Sequence, residues 1–138
     1  VTIALAPSRA QLYERLKSHA AGAAVRAATG PGTAAGVIPA HLLRKPLPAP
    51  PFLVGRAGVI SGQSGDMRGI VFTWWIYDEP AQGYARIDAL IDLVIAAYPL
   101  QAVAWGKTRV TGIGQQGEDS SLGGLLMCPI QLTYSRRG

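Results

Sequence analysis

Two rhythms of apolar positions meet between residues 69 and 99. Ile70 to Tyr77 is apolar or aromatic at every position except Thr73. A strand with no wet face belongs in the middle of a sheet. The polar cluster Asp78-Glu79-Pro80-Ala81-Gln82-Gly83 ends it. Tyr84, Ile87, Leu90, Ile91, Val94, Ile95 and Tyr98 then recur at spacings of three and four, the stripe of an amphipathic helix. Arg86, Asp88 and Asp92 fall mostly off that stripe, and Pro99 stops the helix.

The flanking chain extends the pattern. Pro7-Ser8 opens a helix, with proline near its start and Ser8 as its cap, and Leu12, Leu16 and Tyr13 on the inner side; the alanines of His19 to Ala28 can prolong it, with Gly22 weakening the extension, and Thr29 to Gly32 stop it. Residues 30–51 form a long connection with five prolines between Pro39 and Pro51. Phe52 to Ile60 predicts a strand containing Gly55 and Gly58. Ser61 to Asp66 predicts a polar hairpin loop. Strands are expected over 101–105 and 108–113, with a glycine-rich loop over 112–124. The last strand runs from Leu125 to Arg136, with Cys128, Ile130, Leu132 and Tyr134 on one face and Gln131, Thr133 and Ser135 on the other. Pro129 predicts an edge position or a bulge. The expected fold class is α+β, an antiparallel or mixed sheet of about five strands with two main helices packed on it, in a single domain over 1–138.

Composition narrows the function. The chain has 138 residues, 49% hydrophobic and 15% charged, which is the balance of a globular domain. The lone Cys128 excludes an intrachain disulfide and a cysteine metal cluster, and is expected as a buried small hydrophobe. No apolar run reaches the ~18 residues of a membrane span, and the start, Val1 to Pro7, has no signal-peptide pattern. The net charge is +5. A nucleic-acid reading would use Arg44, Lys45, Arg56, Arg68, Arg136 and Arg137.

Candidate chemistry is sparse. Gly112-Ile-Gly-Gln-Gln-Gly117 spells G-x-G-x-x-G, but Glu118-Asp119 follows where a dinucleotide site needs a helix N-terminus. His19 and His41 have no ligand-spaced partners, and no serine sits in a nucleophile elbow. Asp88 and Asp92 share a helix face, which reads first as a solvated surface. Trp74 and Trp75 point to opposite sides of their strand, so one is core and the other meets a helix or anchors an interface. No catalytic, metal or cofactor-binding residue is assigned.

The order of elements carries a resemblance. The helix Ala10-Gln-Leu-Tyr-Glu-Arg-Leu16, the strand Phe72-Thr-Trp-Trp-Ile-Tyr77, the helix start Gly83-Tyr-Ala-Arg-Ile-Asp-Ala-Leu90 and the closing strand Pro129-Ile-Gln-Leu-Thr-Tyr134 together resemble the tail terminator, or tail completion, proteins of long-tailed bacteriophages and phage-like particles. The resemblance covers most of the chain, although the segment 30–51 is longer than in the shorter members. It implies a non-enzymatic virion protein at the head–tail interface, assembled in the bacterial host cytoplasm. It implies a ring, hexameric in that family, that caps the tail tube and ends its polymerisation. The partners implied are further copies of the chain, the tail tube protein and the head–tail connector or head-completion protein, with DNA passing through the ring unread. Contact loops are then expected at 61–68, 78–83 and 112–123. Gln63, Asp66, Asp78, Glu79, Gln115, Glu118 and Asp119 are the polar interface candidates, and Trp74 or Trp75 is the aromatic one. Another head–tail connector or head-closure protein, or a basic nucleic-acid-binding module, are the alternatives, and a small hydrolase using His19 or His41 is a third.

Overall fold

The computed structural model describes residues 5–63, 66–99 and 106–136, with side chains described outside 5–6, 59–68, 106 and 136. The expected strand at 101–105, Trp105 and Arg137 lie outside these residues.

The fold is α+β, a mixed sheet with helices on one side. In chain order the elements are α1 (Leu5–Lys17), α2 (Ala23–Ala28), β1 (Val37–Pro39), β2 (Phe52–Gln63), β3 (Asp66–Asp78), α3 (Ala85–Ala97), β4 (Gly106–Ile113), β5 (Gly117–Asp119) and β6 (Leu125–Arg136). The sheet order is β1-β2-β3-β6-β4, with β5 also paired to β6. β1 runs parallel to β2, and every other pairing is antiparallel. β3 therefore occupies the central position its apolar run requires, flanked by β2 and β6.

The core lies between the sheet and the helices. From β3 it takes Ile70, Phe72, Trp74 and Ile76; from β6, Leu126, Cys128, Ile130, Leu132 and Tyr134; from α3, Ile87, Leu90, Ile91, Val94 and Ala97; from α1, Leu12 and Leu16. Ile95 departs from the predicted stripe: it is 40% exposed, and Ala97 takes the buried place near the helix end. Gly55 is a steric requirement of this core. A methyl group there would lie 2.6 Å from Cζ3 of Trp74.

Several sequence expectations change. The single long helix is two, because the chain turns through Ser18 to Gly22, where a methyl on Gly22 would meet the Leu16 Cα at 2.7 Å. Ser8 is not a cap, because α1 already begins at Leu5 and Ser8 is buried within it. The polar stretch 61–66 is not a long loop: β2 and β3 pair as far as Gln63 and Asp66, with irregularities after Ala57 and Ser61. The glycine-rich loop 112–124 contains β5 and a 3-10 turn at Ser120–Leu122.

Pro129 lies inside the sheet, opposite Trp75 of β3, rather than on an edge strand. Its carbonyl accepts from Gly114 N–H at 2.8 Å, on the β4 side. A strand residue points its N and O to the same side, so the donor that proline lacks also faces that side, where β4 gives way to β5.

The connection 29–51 is tied down rather than loose. Lys17 Nζ donates to the carbonyls of Ala34 (2.7 Å) and Val37 (2.8 Å), and Tyr13 Oη donates to Val37 O at 3.2 Å. Gly30 N–H donates to Pro51 O at 2.7 Å, so the two ends of the segment meet.

Candidate functional site

The sheet has a second face without helices. On β3 it presents Val71, Thr73, Trp75 and Tyr77, and register places Thr133, Gln131, Pro129 and Met127 of β6 beside them. Alternation along each strand fixes this: the even residues of β3 and β6 go to the helix side, so the odd ones come here.

One half of the face is covered by the chain itself. Phe52, Val54 and Tyr77 are buried there beneath Leu43 and Leu47 of the connection and Leu122 of the 3-10 turn. Phe52 and Tyr77 stack with ring centroids 5.2 Å apart. Tyr77 Oη donates to Asp119 Oδ2 at 3.2 Å, and Ser121 N–H donates to Asp119 Oδ1 at 3.0 Å. Hydrogen bonds from Ser121 and, less strongly, from Tyr77 hold the Asp119 carboxyl below the usual carboxylate range. Burial, reinforced by the Asp119 charge, pushes the Tyr77 hydroxyl up to about 12. These bonds fasten the 117–124 segment to the sheet.

The other half is open. Val71, Thr73, Trp75 and Thr133 are half-buried, and Gln131, Arg109 and Thr111 are exposed. The Arg56 guanidinium sits 5.9 Å from the ring centroid of Trp75. Between the two halves, Trp75, Arg56, Tyr77, Asp119, Leu43 and Leu122 line a cleft of about 220 Å³. Arg56, Lys107 and Arg109 supply the positive charge of this face. Among the described residues no carboxylate forms an ion pair with any of them.

The adjacent tryptophans separate as strand geometry requires. Trp74 is fully buried and donates Nε1–H to Tyr98 Oη at 3.0 Å, so it has no surface to offer a neighbour and is removed from the interface candidates. Trp75 remains. Asp78 is removed for a similar reason. Its side chain is fully buried, and it accepts Nε of Arg86 at 2.8 Å, Nη2 of Arg86 at 2.5 Å and the Glu79 N–H at 2.8 Å. Those bonds lock the turn between β3 and α3. Glu79 stays at the surface, accepting from Gln82 at 3.2 Å.

The remaining candidates divide between the two ends of the sheet. Gln63 and Asp66 face each other in register at the β2–β3 turn, although their side chains lie outside the described residues. Glu79, Gln115, Glu118 and Asp119 gather at the opposite end, where β6 begins beside Tyr77 and Asp78. β3 has 13 residues, which at ~3.3 Å each separates the ends by about 40 Å. Gln115 and Glu118 are exposed, whereas Asp119 is committed to Tyr77 and Ser121.

Other sequence candidates resolve as structural residues. His19 caps a 3-10 turn by accepting from Ala21 N–H at 3.0 Å, and His41 is exposed in the connection. After Gly117 the chain enters β5, so no helix opens where a dinucleotide phosphate would need one. Cys128 is buried, as its apolar run implied. Among the described residues no cluster of three or more His, Cys, Asp or Glu could hold a metal, and no helix is long and apolar enough to cross a membrane. Of the residues a nucleic-acid reading would use, Arg44, Lys45 and Arg56 are exposed, and the side chains of Arg68, Arg136 and Arg137 lie outside the described residues. Sequence reading missed Lys107 and Arg109. Their spacing of two on a strand was the available signal, since it sets both on one face.

No family model matches this sequence, and no curated protein matches it. A solved structure matches with a TM-score of 0.60 at 19% sequence identity, covering 94% of this chain and 93% of that one. At this identity the likeness concerns the fold alone.

Proposed function

We propose that the chain is a structural subunit of a phage-type head–tail junction, one copy of a ring that caps the tail tube and stops its growth. The observation that carries the reading is the helix-free sheet face. A sheet in a small domain buries both faces or gives one to solvent or a partner. Here the chain covers half of that face, and the open half retains a half-buried tryptophan among Val71, Thr73 and Thr133. Tryptophan is enriched at the centres of protein interfaces. A ring needs one patch of each copy to meet a different patch of the next. An open sheet face on one side and a helix layer on the other provide two unlike surfaces. The candidate loops, divided between ends about 40 Å apart, suit a subunit that meets the tube at one end and the head connector at the other.

Light scattering and negative-stain imaging of the purified protein, with and without tail tubes, test the reading. The expected result is a closed ring, six-membered as the family resemblance implies, that binds tube ends. A strictly monomeric protein at high concentration, inert toward tubes, overturns it.

A further inference from the structure

The open sheet face and the outer face of α3 carry opposite charge at matching spacing. Lys107 and Arg109 lie two residues apart on β4, an outermost strand of the sheet. Residues i and i+2 of a strand share a face and stand about 6.6 Å apart. On α3, Asp88 and Asp92 are exposed, while Ile87, Leu90, Ile91 and Val94 are buried against the sheet. Residues i and i+4 of a helix also share a face, about 6 Å apart. The aspartates lie beside Ala85, Ala89 and Ala96, all exposed, and beside Ile95, 40% exposed, which adds an apolar group to the same outer face. Among the described residues neither aspartate forms an ion pair within the chain, and Asp88 accepts only a side-chain amide bond from Gln116 at 3.3 Å.

The two patches look away from each other. α3 packs on the helix-bearing face, and its exposed side points outward from it; Arg109 lies on the face without helices, with Thr133 opposite it. A patch on one side of a molecule that complements a patch on the other cannot pair with itself across a two-fold axis. It joins copies head to tail, and such contacts close into a ring or extend into a filament.

We infer that the occupant of the open sheet face is a second copy of this chain, docked through the outer face of its α3, with Asp88 and Asp92 meeting Lys107 and Arg109. The inference rests on the ring reading and adds to it which surfaces meet. Alternating copies of opposite polarity are excluded, because reversing a copy would set like charges together.

Charge reversal tests it. K107E/R109E and D88K/D92K each place like charges across the contact, and each should raise the concentration needed for assembly by at least about tenfold. Circular dichroism should show both folded, since Arg109, Asp88 and Asp92 are exposed and Lys107 is half-exposed. The chain carrying all four changes should assemble again, as should an equimolar mixture of the two double variants. If K107E/R109E should fail to fold, K107Q/R109Q provides the sheet-side test, with assembly weakened but not abolished. Assembly of both double variants at wild-type concentrations overturns this docking and leaves the ring reading in place. A wild-type protein that stays monomeric overturns both. A monomer that retards DNA at low salt, and loses this in K107E/R109E, assigns the face to nucleic acid and overturns the docking.

Discussion

Trp74 and Tyr98 form one polar link in the apolar core. Trp74 Nε1–H donates to Tyr98 Oη at 3.0 Å, and Tyr98 Oη donates in turn to the Leu12 carbonyl. The link joins β3, the end of α3 and α1. Burial raises the Tyr98 pKa well above that of an exposed tyrosine. Tyr98→Phe keeps the ring and deletes the acceptor, leaving the Trp74 N–H buried without a partner. The expected loss is about 1–3 kcal/mol, read as a lower urea midpoint at unchanged slope.

Gly55→Ala attacks the same core from the other side. Its new methyl would overlap the Trp74 ring, with a full strand of the sheet behind it and Tyr13 stacked at 5.8 Å in front. Overpacking of this kind costs about 1–3 kcal/mol. Thermal unfolding should report it, together with altered Trp fluorescence in the native state. Gly83→Ala would meet no neighbouring atom, but its φ of 58° makes it strained for a different reason.

Removing Arg86 should be worse than removing an ordinary surface arginine. Arg86→Ala strands the fully buried Asp78 carboxylate, while Asp78 and Arg86 replaced together leave no orphan charge. A fully buried pair costs about 3–5 kcal/mol to break from one side. Arg86 is 41% exposed, which lets water reach the site, so about 2 kcal/mol is expected here. A double-mutant cycle in urea measures the coupling.

Asp119 sets a pH dependence. Its folded carboxyl titrates below the usual range because Ser121 and Tyr77 donate to the charged form. Its stabilisation is therefore complete above the unfolded carboxylate pKa and is lost as pH falls through the lower, folded value. Protection of the 117–124 amides, taken relative to the intrinsic exchange rate at each pH, should fall across that acid window. Asp119→Asn should show low protection already at neutral pH, with little further loss of protection on acidification.

Trp75→Ala should separate assembly from folding. Trp75 is half-buried on the helix-free face and takes no part in the Trp74–Tyr98 link. An interface tryptophan typically costs at least about 2 kcal/mol of association when truncated. The variant should elute as a folded monomer at concentrations where the wild type forms rings.

What the chain disclosed in advance follows from how local each cause is. The apolar run of β3, the stripe of α3 and the alternation of β6 are written within single elements, and all three appear where the periodicity placed them. β1 was hidden: Val37-Ile38-Pro39 becomes a strand only because Leu53 to Gly55 lie beside it. The length of the β2–β3 hairpin was hidden for the opposite reason. Ser61, Gly62 and Gln63 look like a loop, yet pairing with β3 keeps them extended. The fate of Asp78 turned on an arginine eight residues later, on the next helix. Trp74 and Trp75 could be separated by alternation, but which one faced the core depended on where the helices packed.

The meeting of Gly30 with Pro51 makes residues 31–50 an appendix with a closed neck. A closed neck uncouples length from architecture. β1 within the appendix belongs to the sheet, so it is the stretch after β1, residues 40–50, that can grow or shrink without displacing α2, β1 or β2. What such variation alters is the cover over Phe52 and Val54. Proteins sharing this scaffold can thus differ most in the one place where difference leaves the sheet intact, and a tag or reporter inserted near Arg44-Lys45, both exposed, exploits the same freedom.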